Sequence, residues 1–124
     1  MKKTALFIVL CSFAIALTHS SCEEEEVTLP KVTTAEVTDV IQSAATCGGE
    51  VTSDGNSTTT RGVCWSPADT PTIEDNHTVD GTGEGVFVSE ITGLAPNVTY
   101  YVRAYATNSQ GTAYGLTKEF KTPL

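Results

Sequence analysis

Apolar and polar side chains alternate along most of this chain with a period of two, not the 3.6 of a helix. The exception is residues 5–17, a 13-residue run that is apolar but for Ser12 and follows Lys2 and Lys3. A membrane-crossing helix needs about 20 apolar residues. The shorter run, with lysines before it and the small Ser20 and Ser21 after it, reads as a cleaved export signal over 1–21. Beyond it, β-branched and aromatic runs are separated by Gly, Asn, Asp and Pro clusters. These runs predict strands near 32–40, 44–52, 59–66, 86–92, 98–107 and 112–122, with a short one near 72–74. About seven short antiparallel strands and no helix imply an all-β sandwich or barrel.

Alternation also assigns faces, because successive side chains on a strand point opposite ways. Over 98–107, Tyr100, Val102, Ala104 and Ala106 share one face, while Tyr101, Arg103, Tyr105 and Thr107 share the other. The arginine marks the second as the outer face. Ala45, Cys47, Gly49 and Val51 line up inward, as do Phe87, Ser89 and Ile91, with Leu94 continuing the core past the turn.

The stretch GLAPNVTYYVRAYATN resembles the corner between two late strands of a fibronectin type III domain. Leu94, Pro96, Tyr100, Val102, Ala104 and Ala106 carry the spacing. Two departures stand out: Val98 lies where the family often has Thr, and Trp65 sits one strand later than in many members. CGGEVTSDG, RGVCWS and YYVRAYATNSQGTAYG are similar to the version found in Bacteroidetes envelope lipoproteins. The resemblance covers about 28–123 and implies an immunoglobulin-like sandwich over 31–124. It also implies that Tyr100 is the corner tyrosine, its hydroxyl bonded back to the preceding turn. It says little about function.

The leader is similar to a lipoprotein signal, in which Cys22 receives diacylglycerol before cleavage. His19 stands where such signals usually carry an aliphatic residue. Ordinary cleavage near Ser20, with release of a soluble protein, is the alternative. On the lipoprotein reading, 22–30 form a lipidated cysteine and acidic linker on an outer-membrane protein. The acidic run 23–26 resembles a signal for export to the cell surface; otherwise it is a solvated spacer.

A chain starting at Cys22 has 103 residues, enough for one domain. It carries 5 basic and 15 acidic residues, a net charge of −10. Nucleic acid is thereby excluded as a partner, because binding it requires Lys and Arg against phosphates. The membrane, through the lipid, and an envelope protein or a glycan remain.

Cys47 and Cys64 remain in an oxidising compartment and form a candidate disulfide. Cys64 and Trp65 are adjacent, so only one can face the core. If Cys64 points inward, it can bridge to Cys47 across the sheets, and Trp65 joins Tyr101, Arg103 and Tyr105 on an outer strip. That strip is the candidate binding face for a sugar ring or a protein, with plain sheet stiffening as the alternative. If Trp65 points inward, the thiols stay apart.

Catalysis is not expected. His77 is the sole histidine outside the leader, and no nucleophile–base pair can be drawn around it. No CxxC exists, so neither zinc nor any other cofactor is expected. Gly81, Gly83 and Gly85 resemble a phosphate loop only superficially, since Val86 follows and no βαβ unit surrounds them. Asp69, Glu74, Asp75 and Asp80 crowd one loop, which could hold calcium or simply be solvated. Asn56, Asn76 and Asn97 head N-x-S/T sequences read as chance. The expectation is a non-catalytic, lipid-anchored envelope module, acting either as a glycan-uptake accessory or as a structural or assembly subunit.

Overall fold

The computed structural model describes residues 26–124. The export signal expected over 1–21, and Cys22, lie outside the described residues. Eight strands follow in order: β1 (Lys31–Thr34), β2 (Ala44–Ser53), β3 (Thr60–Ser66), β4 (Asn76–His77), β5 (Gly85–Thr92), β6 (Thr99–Asn108), β7 (Gly111–Tyr114) and β8 (Lys118–Lys121). They form a three-stranded sheet, β1-β2-β5, and a five-stranded sheet, β4-β3-β6-β7, in which β8 also pairs with β6. All pairings are antiparallel.

The core lies between the sheets. Ala45, Cys47, Val51, Phe87 and Ile91 from the first sheet meet Val63, Trp65, Tyr100, Val102, Ala104, Ala106 and Phe120 from the second. These are the inward positions that the alternation assigned on β2, β5 and β6, and Leu94 is buried with them. Ser89 is inward too and fully buried.

Two expected strands are broken. The run expected over 32–40 forms ladder only at Lys31–Thr34, with a register shift after Lys31 and one isolated bridge from Thr38 to Thr46. The run expected over 112–122 splits into β7 and β8. β7 pairs with Tyr105–Asn108 of β6 and β8 with Thr99–Val102. Between them the backbone of Ala104 has no strand partner on that side. Its carbonyl accepts from Gly115 N–H at 2.9 Å, and its N–H donates to Thr34 Oγ1 at 3.0 Å. Thr34, reaching over from β1, thus substitutes for the missing ladder bond. A side chain at Gly115 would collide with Thr34 Oγ1, so this crossing needs glycine.

β2 and β3 join through a tight turn in which Gly55 and Asn56 both have positive φ, 68° and 66°. Asn and Gly tolerate that conformation best. Gly55 also lets the N-terminal segment dock. Its carbonyl accepts from Thr28 N–H at 3.0 Å, and a Cβ there would clash with the Thr28 carbonyl. Asn108 Nδ2 donates to that same carbonyl at 2.8 Å. At the opposite end, Tyr100 Oη accepts from Ala95 N–H at 2.9 Å and closes the corner before β6.

Candidate functional site

On β3, Val63-Cys64-Trp65 is apolar on both faces, and all three residues are buried. Trp65 lies opposite Val102 and belongs to the core between the sheets. Cys64 lies opposite Arg103 and His77 and points to the other face of its sheet. That face is not open. Residues 67–75 fold over it, and Pro71 is fully buried against it. Arg103 Nε donates to the Pro71 carbonyl at 2.6 Å, while its guanidinium lies 3.7 Å from the centre of the Tyr114 ring. Tyr114 Oη accepts from Ile73 N–H at 3.2 Å. Tyr105 Oη donates to the Thr78 carbonyl at 2.5 Å, and His77 meets the Tyr105 ring edge-on at 5.9 Å. A second, smaller core therefore forms on the outer side of this sheet.

The four-residue candidate face is accordingly corrected. Trp65 is inside the main core, and Tyr105 is only 3% exposed. Arg103 is half-buried and holds the covering loop; Tyr101 is half-buried on the same face. No continuous aromatic platform is left for a sugar ring. A shallow depression of about 290 Å³ near Trp65 is lined mainly by Ser66, Pro67, Glu74, Asp75 and Asn76, which do not supply one either.

The candidate disulfide is corrected for the same reason. Cys47 and Cys64 are free and buried. Cys47 faces the main core, its Sγ 3.5 Å from the Ala35 carbonyl; Cys64 Sγ lies 3.6 Å from the Arg103 carbonyl, on the far side of its own sheet. Bridging them would require Cys64 to reach through its own strand. Burial raises the pKa of both thiols, that of Cys64 to about 11, against a smaller opposing pull from Arg103. Both stay protonated near neutrality, which suits packing and not nucleophilic attack. Burial, with a smaller push from Asp80, raises Tyr105 to about 12.

The acidic loop residues do not converge. Asp69 Oδ1 accepts from Thr70 N–H, and Asp75 Oδ2 accepts from Thr72 N–H. Asp80 Oδ2 accepts from Thr78 Oγ1 at 2.6 Å and from the buried Ser89 Oγ at 2.5 Å. That trio closes the gap between the β3 side and β5. Among the described residues, no group of three His, Cys, Asp or Glu side chains could hold a metal. His77 bonds the Asp75 carbonyl through Nδ1, and the thiol of Cys64, its partner on β3, is buried and held protonated near neutrality.

The glycine loop has the opposite polarity from a phosphate cradle. Arg61 Nε donates to the Asp80 carbonyl at 3.1 Å, and its Nη1 donates to the carbonyls of Gly83 and Glu84 at 3.2 and 3.1 Å. Carbonyls turned onto a cation repel an anion; a phosphate needs N–H groups. The same guanidinium sits 5.4 Å from the centre of the Phe87 ring. Asn56 and Asn97 take positive φ and serve as turn residues.

The open surface lies on the other sheet. Val86 and Val88 on β5 are 70% and 64% exposed. On the same face the register places Val86 beside Glu50, Val88 beside Gly48 and Glu90 beside Thr46. Alternation around Phe87 and Ser89 already puts both valines outward, so the signal was present in the sequence. β5 is also an edge strand.

No protein-family model and no curated protein matches this sequence. Solved structures share its fold. The sensor domain of the anti-sigma factor RsgI4 from Pseudobacteroides cellulosolvens superposes with a TM-score of 0.56 at 16% identity, over 77% of this chain and 76% of that one. A shorter version of that domain gives 0.56 at 17% identity, over 78% and 97%. A myokine gives 0.50 at 18% identity, over 79% and 99%. Likeness at this level establishes architecture alone, and the architecture is that of an all-β immunoglobulin- and fibronectin-like sandwich.

Proposed function

We propose that this chain is a non-catalytic interaction module, tethered to the bacterial envelope by lipid on Cys22 and exposed at the cell surface. The observation that carries the binding role is a contrast between the two sheets. Trp65, Arg103 and Tyr105 of the five-stranded sheet are engaged in internal contacts, while the three-stranded sheet leaves Val86 and Val88 exposed. Single exposed apolar residues are ordinary; two neighbours on an unpaired edge are suited to a partner.

The tether fits the same reading. Thr28 is bonded to Gly55 and Asn108, and the Glu26 carbonyl accepts from Asn56 Nδ2 at 3.1 Å. From Cys22 to Glu26 an extended chain spans at most about 14 Å. The tip bearing the β2–β3 and β6–β7 turns would therefore face the membrane, with the strands standing away from it. The neighbour named as a sensor domain of an anti-sigma factor is consistent with a module that binds and does no chemistry.

Two experiments test the two parts. Palmitate labelling in the native host should mark the wild type and not Cys22→Ser; an unlabelled wild type with a free N-terminus overturns the anchor. A photo-crosslinker at position 88 should give discrete adducts on intact cells, and one at position 101 should not. The reverse pattern, or none, overturns the assignment of binding to the three-stranded sheet.

A further inference from the structure

The edges of the two sheets are not equally protected. β1 is four residues long, follows Pro30 and carries a register shift. β4 is two residues long. β7 and β8 have four residues each, with a break between them. Short, interrupted or bulged strands are the usual ways in which an edge is blunted against pairing. β5 has none of these. It runs for eight residues in unbroken register with β2, from Thr92 opposite Ala44 to Gly85 opposite Val51. Its sequence, GVFVSEIT, contains neither Pro nor Lys. No backbone hydrogen bond joins Gly85–Thr92 to any described residue except through β2.

We propose that β5 is a strand-addition site, which takes an extended segment of a partner protein that carries two aliphatic side chains and a basic one at every second position, all on one face. The proposal rests on the interaction-module reading above and names the site and the chemistry of its occupant. An added strand would pair its backbone with the free edge of β5 and place every second side chain on the outer face. There it meets Val86 and Val88, which call for aliphatic neighbours, and Glu90, which calls for a cation. Glu50 lies behind Val86 on β2 and deepens the negative field. The only basic strand residue on that sheet is Lys31, on the far strand β1. Charge also argues against a second copy of this chain as the occupant. The region from Cys22 onward carries −10, and an antiparallel β5–β5 pair would bring two sets of Glu90 and Glu50 together.

The test uses the folded protein and a blocked peptide containing Lys-Thr-Val-Thr-Val, which sets its lysine and both valines on one face. Binding should perturb the backbone amide resonances of β5 and slow hydrogen exchange of its outward-facing amides. The same peptide with glutamate in place of lysine should bind weaker by at least about threefold at low salt, with the gap closing as salt rises. The lysine peptide N-methylated at alternate residues should not bind, because its edge cannot pair. Val88→Lys, at an exposed position, should weaken the lysine peptide and leave the melting temperature unchanged. Shifts confined to another surface, equal binding by the methylated peptide, or no shifts at all overturn the proposal. If position 88 crosslinks on cells while the peptide fails, strand addition is wrong and the interaction face stands. If both fail, the broader reading falls as well.

Discussion

Thr34→Val isolates a single hydrogen bond on which the joint between the sheets depends. Threonine and valine have nearly the same shape, and both favour strands. The substitution therefore changes little except the loss of Oγ1. That oxygen is the acceptor for Ala104 N–H at 3.0 Å. Ala104 is fully buried at the centre of β6, at the point where β7 has ended and β8 has not begun. The amide then has no acceptor within reach, and its desolvation is uncompensated. An orphaned buried donor costs about 1–3 kcal/mol. In a domain of this size that lowers the melting temperature by about 4–8 °C per kcal/mol. Thr34→Ser keeps the acceptor and should retain most of the stability. Thr33→Val, on an exposed neighbour, controls for the change in composition. Urea denaturation gives the three free energies, and hydrogen exchange reads the Ala104 amide directly. If Thr34→Val stays within about 0.5 kcal/mol of Thr33→Val, Thr34 does not bridge the strand break and the account of this joint is wrong.

Four further outcomes follow from the same geometry. Ellman's reagent should leave Cys47 and Cys64 unmodified in the native domain and label both on unfolding, while reductant leaves the melting temperature unchanged; a reductant-sensitive melt refutes the free thiols. Stability should fall at high pH. Cys64 is raised from 9.0 to about 11, and Tyr105 from 10.0 to about 12, so the unfolded chain loses these protons first and is favoured as pH climbs through those windows. Cys64→Val should remove the part of that loss between pH 9 and 11, and an unaltered alkaline profile would refute the burial of the thiol. Arg103→Ala should release the loop over 67–75 and make it sensitive to protease at a cost of about 1–3 kcal/mol, with Arg103→Lys rescuing little because a lysine cannot both stack on Tyr114 and reach Pro71. Trp65 emission should be blue-shifted and poorly quenched by iodide in the native state, and ready quenching would place the indole outside the core.

Much of this fold was legible because one force dominates it. Alternation picked out Tyr100, Val102, Ala104 and Ala106 on β6, and Ala45, Cys47 and Val51 on β2, since those strands bury the face it predicts. Alternation failed on β3, where Val63, Cys64 and Trp65 are all buried. A period-two signal assumes one wet face, and this strand has none. The continuous apolar run was itself the clue. It indicated something lying over the outer face, but the cover is a loop without periodicity, held by Arg103, Tyr114 and the Pro71 carbonyl. An arginine on a strand face reads as a mark of water, yet the planar head of Arg103 stacks on an aromatic ring and satisfies a carbonyl. The break between β7 and β8 left no signal of its own, because Thr34, which satisfies the exposed amide, lies seventy positions away.

The unequal cover of the two sheets has a consequence for dynamics as well as for binding. The five-stranded sheet is packed on both sides, with β6 at its centre between β3 and the β7–β8 pair. Opening β6 would expose the main core and the small outer core together, so its amides should exchange only through global unfolding. β5 is packed on one side and paired along one edge. Its inner residues, Phe87, Ser89 and Ile91, hold it in place, and Ser89 is further tied to Asp80. Its outward amides have no backbone partner among the described residues. A strand fixed by its buried face and free along its edge meets an incoming chain with its backbone already extended, so little ordering entropy is lost on its side when the pair forms. The feature that leaves this edge unprotected against unwanted pairing is therefore the same one that would make it an efficient receptor, and the net charge of the region from Cys22 onward selects which chains approach.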